Sequence, residues 1–346
     1  MIKCSICVAL LAVFVLALGP IIAGLMLYVP RFFPYDTHPS NCGFEDHYFV
    51  NVTIPSPKYN NSVEKIDLHG WFFQSPLKNS NIDVKSEKFQ SLLDRYAKTL
   101  NASNAEAFIV VVHGHGSSMA REIGSDKSLL EKVVAPLWTA GYNVLAFDLR
   151  NHGLSPWYGP VSFGIYESLD VFSAIDFLVR NNPDHFAESA DGTKPRLGVW
   201  GESMGAATVI ITASSEYQKY IRAIVADSAY ASLDAVIYTW SKDKLPWMPE
   251  SVVDYVFWCF TVLAPYSMEN LQIYKYATDI QLPVMITHGT DDLLVPYENS
   301  KRLHNAFSNR ANDHPLHSYT HNLGHVRAWD NSDYFPILIN FFEEYV

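Results

Sequence analysis

The sequence predicts an α/β fold: a mostly parallel central sheet with helices on both faces, preceded by one N-terminal transmembrane helix. Three observations carry this prediction. From residue 107 onward, short apolar runs alternate with longer helical patterns, as in chains that build parallel sheets. A long uncharged segment stands in front of them. One apolar run also leads through a Gly-x-Ser-x-Gly turn into a helical pattern.

Composition describes a globular chain and excludes nucleic acid as a partner. Of the 346 residues, 49% are hydrophobic and 18% are charged, which is enough apolar material for a sizeable core. The formal net charge is −11 and no basic run occurs, whereas nucleic acid requires clustered Lys and Arg. Outside the N-terminal segment the cysteines are Cys42 and Cys259, so one disulfide is compatible with the sequence and none is required.

Residues 1–30 are predicted to form a membrane anchor. Residues 6–29 carry no charge and would span about 36 Å as a helix, against ~30 Å for the hydrocarbon core. A cleaved signal peptide is the alternative, but its apolar region is usually only about 7–15 residues long. Pro20 also follows its one plausible cleavage site. We therefore expect the membrane as a partner through this helix.

The stretch after the anchor bears on the compartment of the protein. Residues 31–45 are rich in proline and aromatic residues and are typical of a stiff connector at a membrane surface. Three N-x-[ST] sequons follow, at Asn51, Asn60 and Asn101. In a eukaryotic source they favour a glycosylated body on the lumenal or extracellular side. Chance is an equal alternative in a stretch so rich in Asn and Ser.

Residues 46–346 are predicted to form a single domain. Two strands are expected around 46–54 and 63–73, followed by a polar insertion with a helical pattern over 76–106, at the edge of the sheet. Five apolar runs then predict further strands: Phe108–Val112, Val144–Phe147, Leu197–Trp200, Ile221–Ala226 and Val284–Thr287. Helical patterns lie near 126–140, 166–181, 204–217, 297–308 and 332–345.

The strongest functional signal is the turn in which Ser203 lies between Gly201 and Gly205. An apolar strand precedes this turn and a helix start rich in small residues follows it. Such a turn strains the serine backbone, and only glycine at the flanking positions lets the strand and the helix approach closely. The helix N-terminus also favours developing negative charge. The pattern predicts a nucleophilic serine, with a packing turn of small residues as the alternative.

Acidic residues and a histidine follow the serine in the order Ser, Asp, His. Asp291 and Asp292 lie in a loop after a predicted strand, where the active sites of parallel sheets gather. His325 lies in a Gly-containing loop before the last predicted helix. A serine is a weak nucleophile near neutral pH. It needs an imidazole to take its proton and a carboxylate to orient that imidazole.

With these motifs the chain resembles the α/β-hydrolase superfamily and is similar to its monoacylglycerol-lipase-like and serine-aminopeptidase-like members. The resemblance covers residues 46–346. It includes a His-Gly loop over 112–116 and the run DLRNHGLS over 148–155, close to the superfamily's Asp-x-Arg-Gly-His-Gly-x-Ser. Asn151 departs from the usual glycine, but asparagine tolerates the left-handed backbone conformation.

The resemblance implies an α/β-hydrolase fold and Asp292, not Asp291, as the acid of a catalytic triad with Ser203 and His325. It also implies that the backbone N–H groups of His115 and Met204 form the oxyanion hole. Loss of one such donor typically slows catalysis by about 10²–10³. No cofactor is required by this chemistry.

Other residues offer alternatives. Asp227 ends a predicted strand and is a second candidate acid, although such a residue more often caps the following helix. His113 and His152 are interpreted as structural loop residues. A row of four histidines also suggests a metal site: His314, His317, His321 and His325. We expect no metal there, because Pro and Gly break the helical spacing and no acidic cluster joins the row.

The favoured function is hydrolysis of a carboxylic ester of a small-molecule or lipid substrate, through an acyl-enzyme on Ser203. Residues 232–278 are aromatic and could form a lid over an apolar acyl site, with ordinary core packing as an equal alternative. The same residues could instead serve a thioesterase, a peptidase or an acyltransferase. A membrane-tethered interaction protein without activity is a further alternative, which the complete set of catalytic residues disfavours.

Overall fold

One eight-stranded sheet organises the protein. The computed structural model describes residues 17, 19–28, 38–59, 62–97, 99–120, 128–187, 195–244, 247–311 and 313–346. The strand order is β1-β2-β4-β3-β5-β6-β7-β8. Strand β2 runs antiparallel to both of its neighbours, and all pairs from β4 to β8 are parallel, which confirms the mostly parallel sheet of an α/β-hydrolase fold. The strands are β1 Val50–Pro57, β2 Lys65–Phe73, β3 Phe108–Val112, β4 Asn143–Phe147, β5 Leu197–Glu202, β6 Ala223–Asp227, β7 Val284–Gly289 and β8 Leu316–His321.

The five apolar runs predicted as strands correspond to β3 through β7. Every residue of these five strands is buried, because helices cover both faces of the sheet. Alternate residues of β3 point into two separate cores, Val110 into one and Val111 into the other. Strand β8 lies at the edge of the sheet and is only partly buried.

Helices fill both layers. Helices α4, α6 and α9 pack on one face, while α2, α3 and α10 pack on the other. The helices are α1 19–27, α2 Glu87–Tyr96, α3 Ala135–Thr139, α4 Glu167–Asn181, α5 Pro183–Phe186, α6 Met204–Ala213, α7 Leu233–Lys244, α8 Glu250–Leu263, α9 Glu298–Ser308 and α10 Tyr334–Tyr345. A π-helical turn over Leu130–Val134 leads into α3.

Two predicted elements differ from the structure. The helix expected over 204–217 ends at Ala213, because the hydroxyls of Ser214 and Ser215 bond to backbone carbonyls of the last turn and Ser215 caps a new 3₁₀ turn. The insertion over 76–106 lies on a face of the sheet instead of its edge. Its helix α2 buries Phe89 in the core beside α3, with ring centroids 5.6 Å from Trp138.

Helix α1, the second half of the predicted anchor, lies against the body of the protein. Ala23 and Leu27 are fully buried, and the Leu27 carbonyl accepts a 2.7 Å hydrogen bond from the Val161 N–H. No helix among the described residues is long and apolar enough to cross a membrane. Most of residues 6–18 and of the connector before residue 38 lie outside the described part of the chain.

The cysteines and sequons can also be placed. Cys42 and Cys259 are both free and buried, in the cores on opposite faces of the sheet, so they do not pair. Asn51 lies in β1, where its amide oxygen accepts from the indole N–H of Trp71. Asn101 caps a 3₁₀ turn, and Asn60 lies outside the described residues.

Residues 148–155 connect the sheet to helix α4 through the side chain of Arg150. Arg150 is buried and forms a two-pronged ion pair with Asp170 of α4, with N···O distances of 2.7–3.1 Å. Two carbonyls at the end of β1, of Pro57 and Lys58, accept its remaining N–H groups. Asn151 adopts a φ of 65°, so asparagine does supply the left-handed turn in place of glycine.

Replacing Arg150 with Met should lower the free energy of unfolding by about 3–5 kcal/mol, because it strands the buried carboxylate of Asp170. The control is Arg180→Met, which removes the exposed ion pair with Asp176 and should cost less than about 1 kcal/mol. Denaturant titration of both variants measures the difference. Equal destabilisation would contradict the structural role of Arg150.

Candidate active site

The strand–turn–helix at Ser203 is packed as tightly as backbones allow. Ser203 has a φ of 52°, a strained conformation for a residue with a side chain. A methyl group at Gly205 would lie 2.4 Å from the carbonyl oxygens of Val112 and His113, and one at Gly201 would lie 2.5 Å from the Gly205 carbonyl. Both glycines are therefore required, and the turn raises the Ser203 hydroxyl above the end of β5.

The structure brings Ser203, His325 and Asp292 together in one line. His325 Nε2 lies 2.9 Å from Ser203 Oγ, and Nδ1 lies 2.7 Å from Asp292 Oδ2. The Asp292 side chain is fully buried, whereas the ring of His325 is partly exposed. This geometry suits a neutral imidazole that donates to the carboxylate from Nδ1 and accepts the serine proton at Nε2.

The acid is held rigidly by its own loop. Asp292 Oδ1 accepts the N–H groups of Leu294 and Val295 at 2.9 and 2.8 Å, which leaves Oδ2 directed at the histidine. His288, at the end of β7, donates from Nε2 to the Val295 carbonyl at 2.8 Å and supports the loop from below. Burial lowers the pKa of His288, whose Nε2 also lies 3.5 Å from Asp292 Oδ2.

The two alternative acids lie elsewhere. Asp291 is exposed and accepts from the hydroxyl of Thr290. Asp227 is buried at the end of β6, where it accepts from the hydroxyl of Ser228 at 3.0 Å. Burial, together with the neighbouring charge of Glu202, raises the pKa of Asp227 to about 8. Of the three candidate carboxylates, Asp292 is the one in contact with the histidine.

The residues predicted to supply the oxyanion hole, His115 and Met204, are chain neighbours of Gly114 and Ser203. Met204 is the first residue of α6, so its N–H belongs to the first turn, which has no partners within the helix. Gly114 packs on the other side, since a methyl group there would lie 3.2 Å from Ser203 Cβ. His115 directly follows Gly114 in the chain. The oxyanion role of both groups stays a prediction.

Aromatic residues and the N-terminal helix pack around the side chain of His115. The ring of His115 stacks on Phe163 at a centroid distance of 5.1 Å, and Phe163 contacts Phe260 of α8 at 5.9 Å. His115 also hydrogen-bonds to the backbone of Met26 in α1, while burial of its ring lowers its pKa to about 4. The predicted lid, which contains α7 and α8, is thus connected to His115 through the ring of Phe163.

The remaining histidines have local roles. His113 Nε2 accepts from the N–H of Leu149 at 3.0 Å, and His152 Nδ1 donates to the carbonyl of Arg150 at 2.8 Å, so both hold loops in place. His317 lies 2.9 Å from the hydroxyl of Tyr345. Within the part of the chain that the structure describes, no group of His, Cys, Asp or Glu side chains is placed to hold a metal ion.

Sequence reasoning missed three residues that support the site: Glu202, Ser228 and His288. Glu202 precedes the serine and accepts the Gly114 N–H, and the Ser228 hydroxyl accepts the N–H of Val326. Each lies at the carboxyl end of a strand or one residue beyond it, and that position was the available signal. Their partners come from distant parts of the chain, which no local pattern reveals.

Comparison with known proteins places the chain in a family. The sequence profile of the prolyl oligopeptidase family (Peptidase_S9) matches residues 170–346, half of the chain. The chain belongs to this family. The matched region contains Ser203, Asp292 and His325, while Gly114 and His115 precede it.

Individual relatives are more distant. The uncharacterised protein YqkD of Bacillus subtilis is 27% identical over 167 residues, which is 47% of this chain and 50% of that protein. The lysophosphatidylserine lipase ABHD12 of Xenopus tropicalis is 25% identical over 224 residues, which is 62% of this chain and 49% of the lipase. The chain thus spans about half the length of these relatives.

Solved structures share the fold. The esterase Pf2001 of Pyrococcus furiosus has a TM-score of 0.63 at 23% identity, and the match covers 92% of this chain and 97% of the esterase. An acylaminoacyl peptidase of Pyrococcus horikoshii has a TM-score of 0.54 at 14% identity, with coverage of 86% and 42%. At these identities the likeness concerns the fold alone.

Replacing Asp292 with Asn should lower kcat by about 10³–10⁴, because the amide favours the wrong histidine tautomer and cannot stabilise the imidazolium. The matched variant is Asp291→Asn on the same loop, which should change kcat less than about threefold, since its side chain faces solvent. Steady-state turnover of a chromogenic short-chain ester measures both. Comparable losses in the two variants would contradict the assignment of Asp292.

Proposed function

We propose that this protein is a serine hydrolase that cleaves carboxylic esters through an acyl-enzyme on Ser203. The observation that carries the proposal is the hydrogen-bonded line from Ser203 through His325 to Asp292. Membership of a hydrolase family and the similarity to a lipase support it. The chemistry needs no cofactor.

The reaction follows from the roles of these side chains. His325 takes the proton of Ser203 as Oγ attacks the acyl carbon, and the resulting oxyanion accepts hydrogen bonds from the His115 and Met204 N–H groups. His325 then protonates the departing alcohol. Water enters, gives its proton to His325 and attacks the acyl-enzyme, and Ser203 recovers its proton as the free acid leaves. Asp292 keeps the ring oriented and stabilises its positive charge throughout.

We assign a lipid or long-acyl ester as the substrate because an apolar surface adjoins the site. This surface, termed the apolar face, comprises the exposed residues Ile21, Leu25, Tyr28, Trp157, Trp258 and Val262. Its parts are contiguous. Gly19 of α1 packs on Tyr255 of α8, and Tyr255 stacks with Trp258 at 6.0 Å. At the other end of α1, Tyr28 contacts Trp157 at 5.6 Å.

The apolar face favours action at a membrane. Residues 19–28 include no charged residue, so α1 has no charged side to present to water. Trp and Tyr side chains prefer the interface between lipid and water, and a large exposed apolar patch marks an interaction site. The proposal places the membrane at the apolar face and the N-terminal segment. The lumenal or extracellular position of the body belongs to the same proposal and rests on the sequons.

A peptidase is the second candidate, favoured by the family match. An ester and a peptide bond differ in the leaving group, which is an alcohol in one and an amine in the other. A p-nitrophenyl ester and a p-nitroanilide with the same acyl group therefore separate the two candidates. Preference for the anilide would replace the esterase proposal with the peptidase.

The full-length protein should react with a fluorophosphonate probe, and Ser203→Ala should not, because the probe captures activated serines. The control is Ser308→Ala, which removes an exposed serine hydroxyl on α9 and should leave Ser203 reactive. Gel fluorescence after labelling measures all three proteins. A folded wild-type protein that takes no label would contradict the proposed function and favour the interaction protein without activity.

Replacing Trp258 and Val262 together with Ser should weaken binding to phospholipid vesicles and slow hydrolysis of a long-chain monoacyl ester by about tenfold. Removing two exposed apolar side chains, which lipid would cover on binding, weakens lipid contact by roughly that factor or more. Turnover of a short ester should stay unchanged. Val63 and Leu77, exposed elsewhere, provide the matched double Ser control. Equal losses on short and long esters would contradict a role of the apolar face in lipid binding.

A further inference from the structure

Two acidic side chains lie side by side beneath the nucleophile. Glu202 ends β5 and Asp227 ends β6, and the two residues are paired across the parallel strands, so their side chains share one face of the sheet. Both are buried at the carboxyl edge. The positive charge of Lys132, itself buried and over the ring of Trp329 at 4.7 Å, acts on both carboxyl groups.

The Glu202 side chain holds the loop that carries one predicted oxyanion donor. Its Oε1 accepts the N–H of Gly114 at 3.3 Å. A methyl group added at Gly114 would lie 3.2 Å from Ser203 Cβ, and Gly114 directly precedes His115. A movement of Gly114 would therefore also move the N–H of His115, the predicted oxyanion donor. The second oxygen of Glu202 has no hydrogen-bond partner among the described residues. Among those residues, the Gly114 N–H is therefore the hydrogen-bond partner of the Glu202 carboxyl group.

The Asp227 side chain holds the opposite loop through one intermediate. The Ser228 hydroxyl donates to Asp227 Oδ1 at 3.0 Å and accepts the N–H of Val326 at 3.1 Å. Ser228 and Val326 both have positive φ, 54° and 51°, and a β-branched residue such as valine adopts this conformation only under restraint. Val326 directly follows His325. The Asp227 backbone carbonyl also accepts the Ser203 N–H at 2.8 Å.

We propose that Glu202 and Ser228, supported by Asp227, are positioning residues that hold the two loops on either side of Ser203 in register. This inference rests on the proposed function, since it assigns them to the same reaction. Glu202 fixes the oxyanion side and Ser228 fixes the histidine side. Neither side chain touches the reacting atoms, so each acts through the backbone group it binds.

The energetics favour such a role over simple packing. Burying two carboxyl groups next to each other is unfavourable, and apolar side chains of the same volume would stabilise a core better. Burial raises the pKa of both groups, which reduces the charge of the pair. What an apolar pair could not supply is an acceptor for the Gly114 N–H and for the Ser228 hydroxyl.

The test compares two replacements of Glu202 in the full-length protein. Glu202→Gln keeps an acceptor for the Gly114 N–H, whereas Glu202→Met has similar length and no good acceptor. On p-nitrophenyl acetate the Met variant should lose about 10- to 100-fold in kcat with KM within about twofold, part of the loss seen when an oxyanion donor is removed. The Gln variant should retain activity within about threefold of the wild type.

A transition-state analogue adds a readout that a purely structural role would not move. A trifluoromethyl ketone forms a tetrahedral oxyanion on the serine, so its affinity for Glu202→Met should fall by the same factor as kcat. Glu343→Met, which removes an exposed acidic acceptor far along the chain, is the control and should match the wild type. Equal loss in the Gln and Met variants, or wild-type activity in the Met variant, would overturn the role of Glu202.

Ser228→Ala tests the loop that carries His325. It also provides an independent test of the proposal if the Glu202→Met protein does not fold. It removes one hydroxyl and leaves the Gly114 loop intact, so kcat should fall about tenfold at unchanged KM, with slower fluorophosphonate labelling. Unchanged kcat in a folded Ser228→Ala protein would overturn the role of Ser228. A wild-type protein that neither turns over the ester nor takes the label would instead overturn the proposed function, and this inference with it.

Discussion

The structure depends on one contact, the approach of Gly205 to the last carbonyls of β3. Helix α6 can begin beside β3 only because no side chain stands between Gly205 and the backbone of Val112 and His113. That closeness forces Ser203 into a positive φ, and the sheet sustains the strain through the hydrogen bond to the Asp227 carbonyl. The loops after β3, β5 and β6 thereby converge on a single hydroxyl.

The two halves of the sheet have different tasks. Ser203 follows β5, Asp292 follows β7 and His325 follows β8, so the proposed triad is spread over strand ends that a parallel arrangement brings to one edge. The half that contains strands β1 and β2 carries none of the three residues of the proposed triad. The buried ion pair of Arg150 and Asp170 connects this half to α4 and so holds the sheet below the candidate site rigid.

Local signals in the sequence predicted the local features well. The apolar runs of β3 to β7 and the turn at Ser203 are properties of neighbouring residues, so they could be read directly. The choice between Asp291 and Asp292 required either a family resemblance or the loop conformation, since adjacent residues point in different directions. The contacts of Glu202 and Ser228, and the position of α1 against the body, depend on partners about 90 residues or more away in the chain. No periodicity or short motif in the sequence indicates contacts between residues so far apart along the chain.

The docking of α1 restricts how the N-terminus can be used. Leu27 and Ala23 contribute to the core, and the backbone of Met26 hydrogen-bonds to His115. While α1 is docked in this way, these residues are not available to a membrane-spanning helix. Residues 6–18 alone would extend only about 20 Å as a helix, less than the ~30 Å of a bilayer core. Docking on the domain and spanning a bilayer therefore compete for the same stretch of chain.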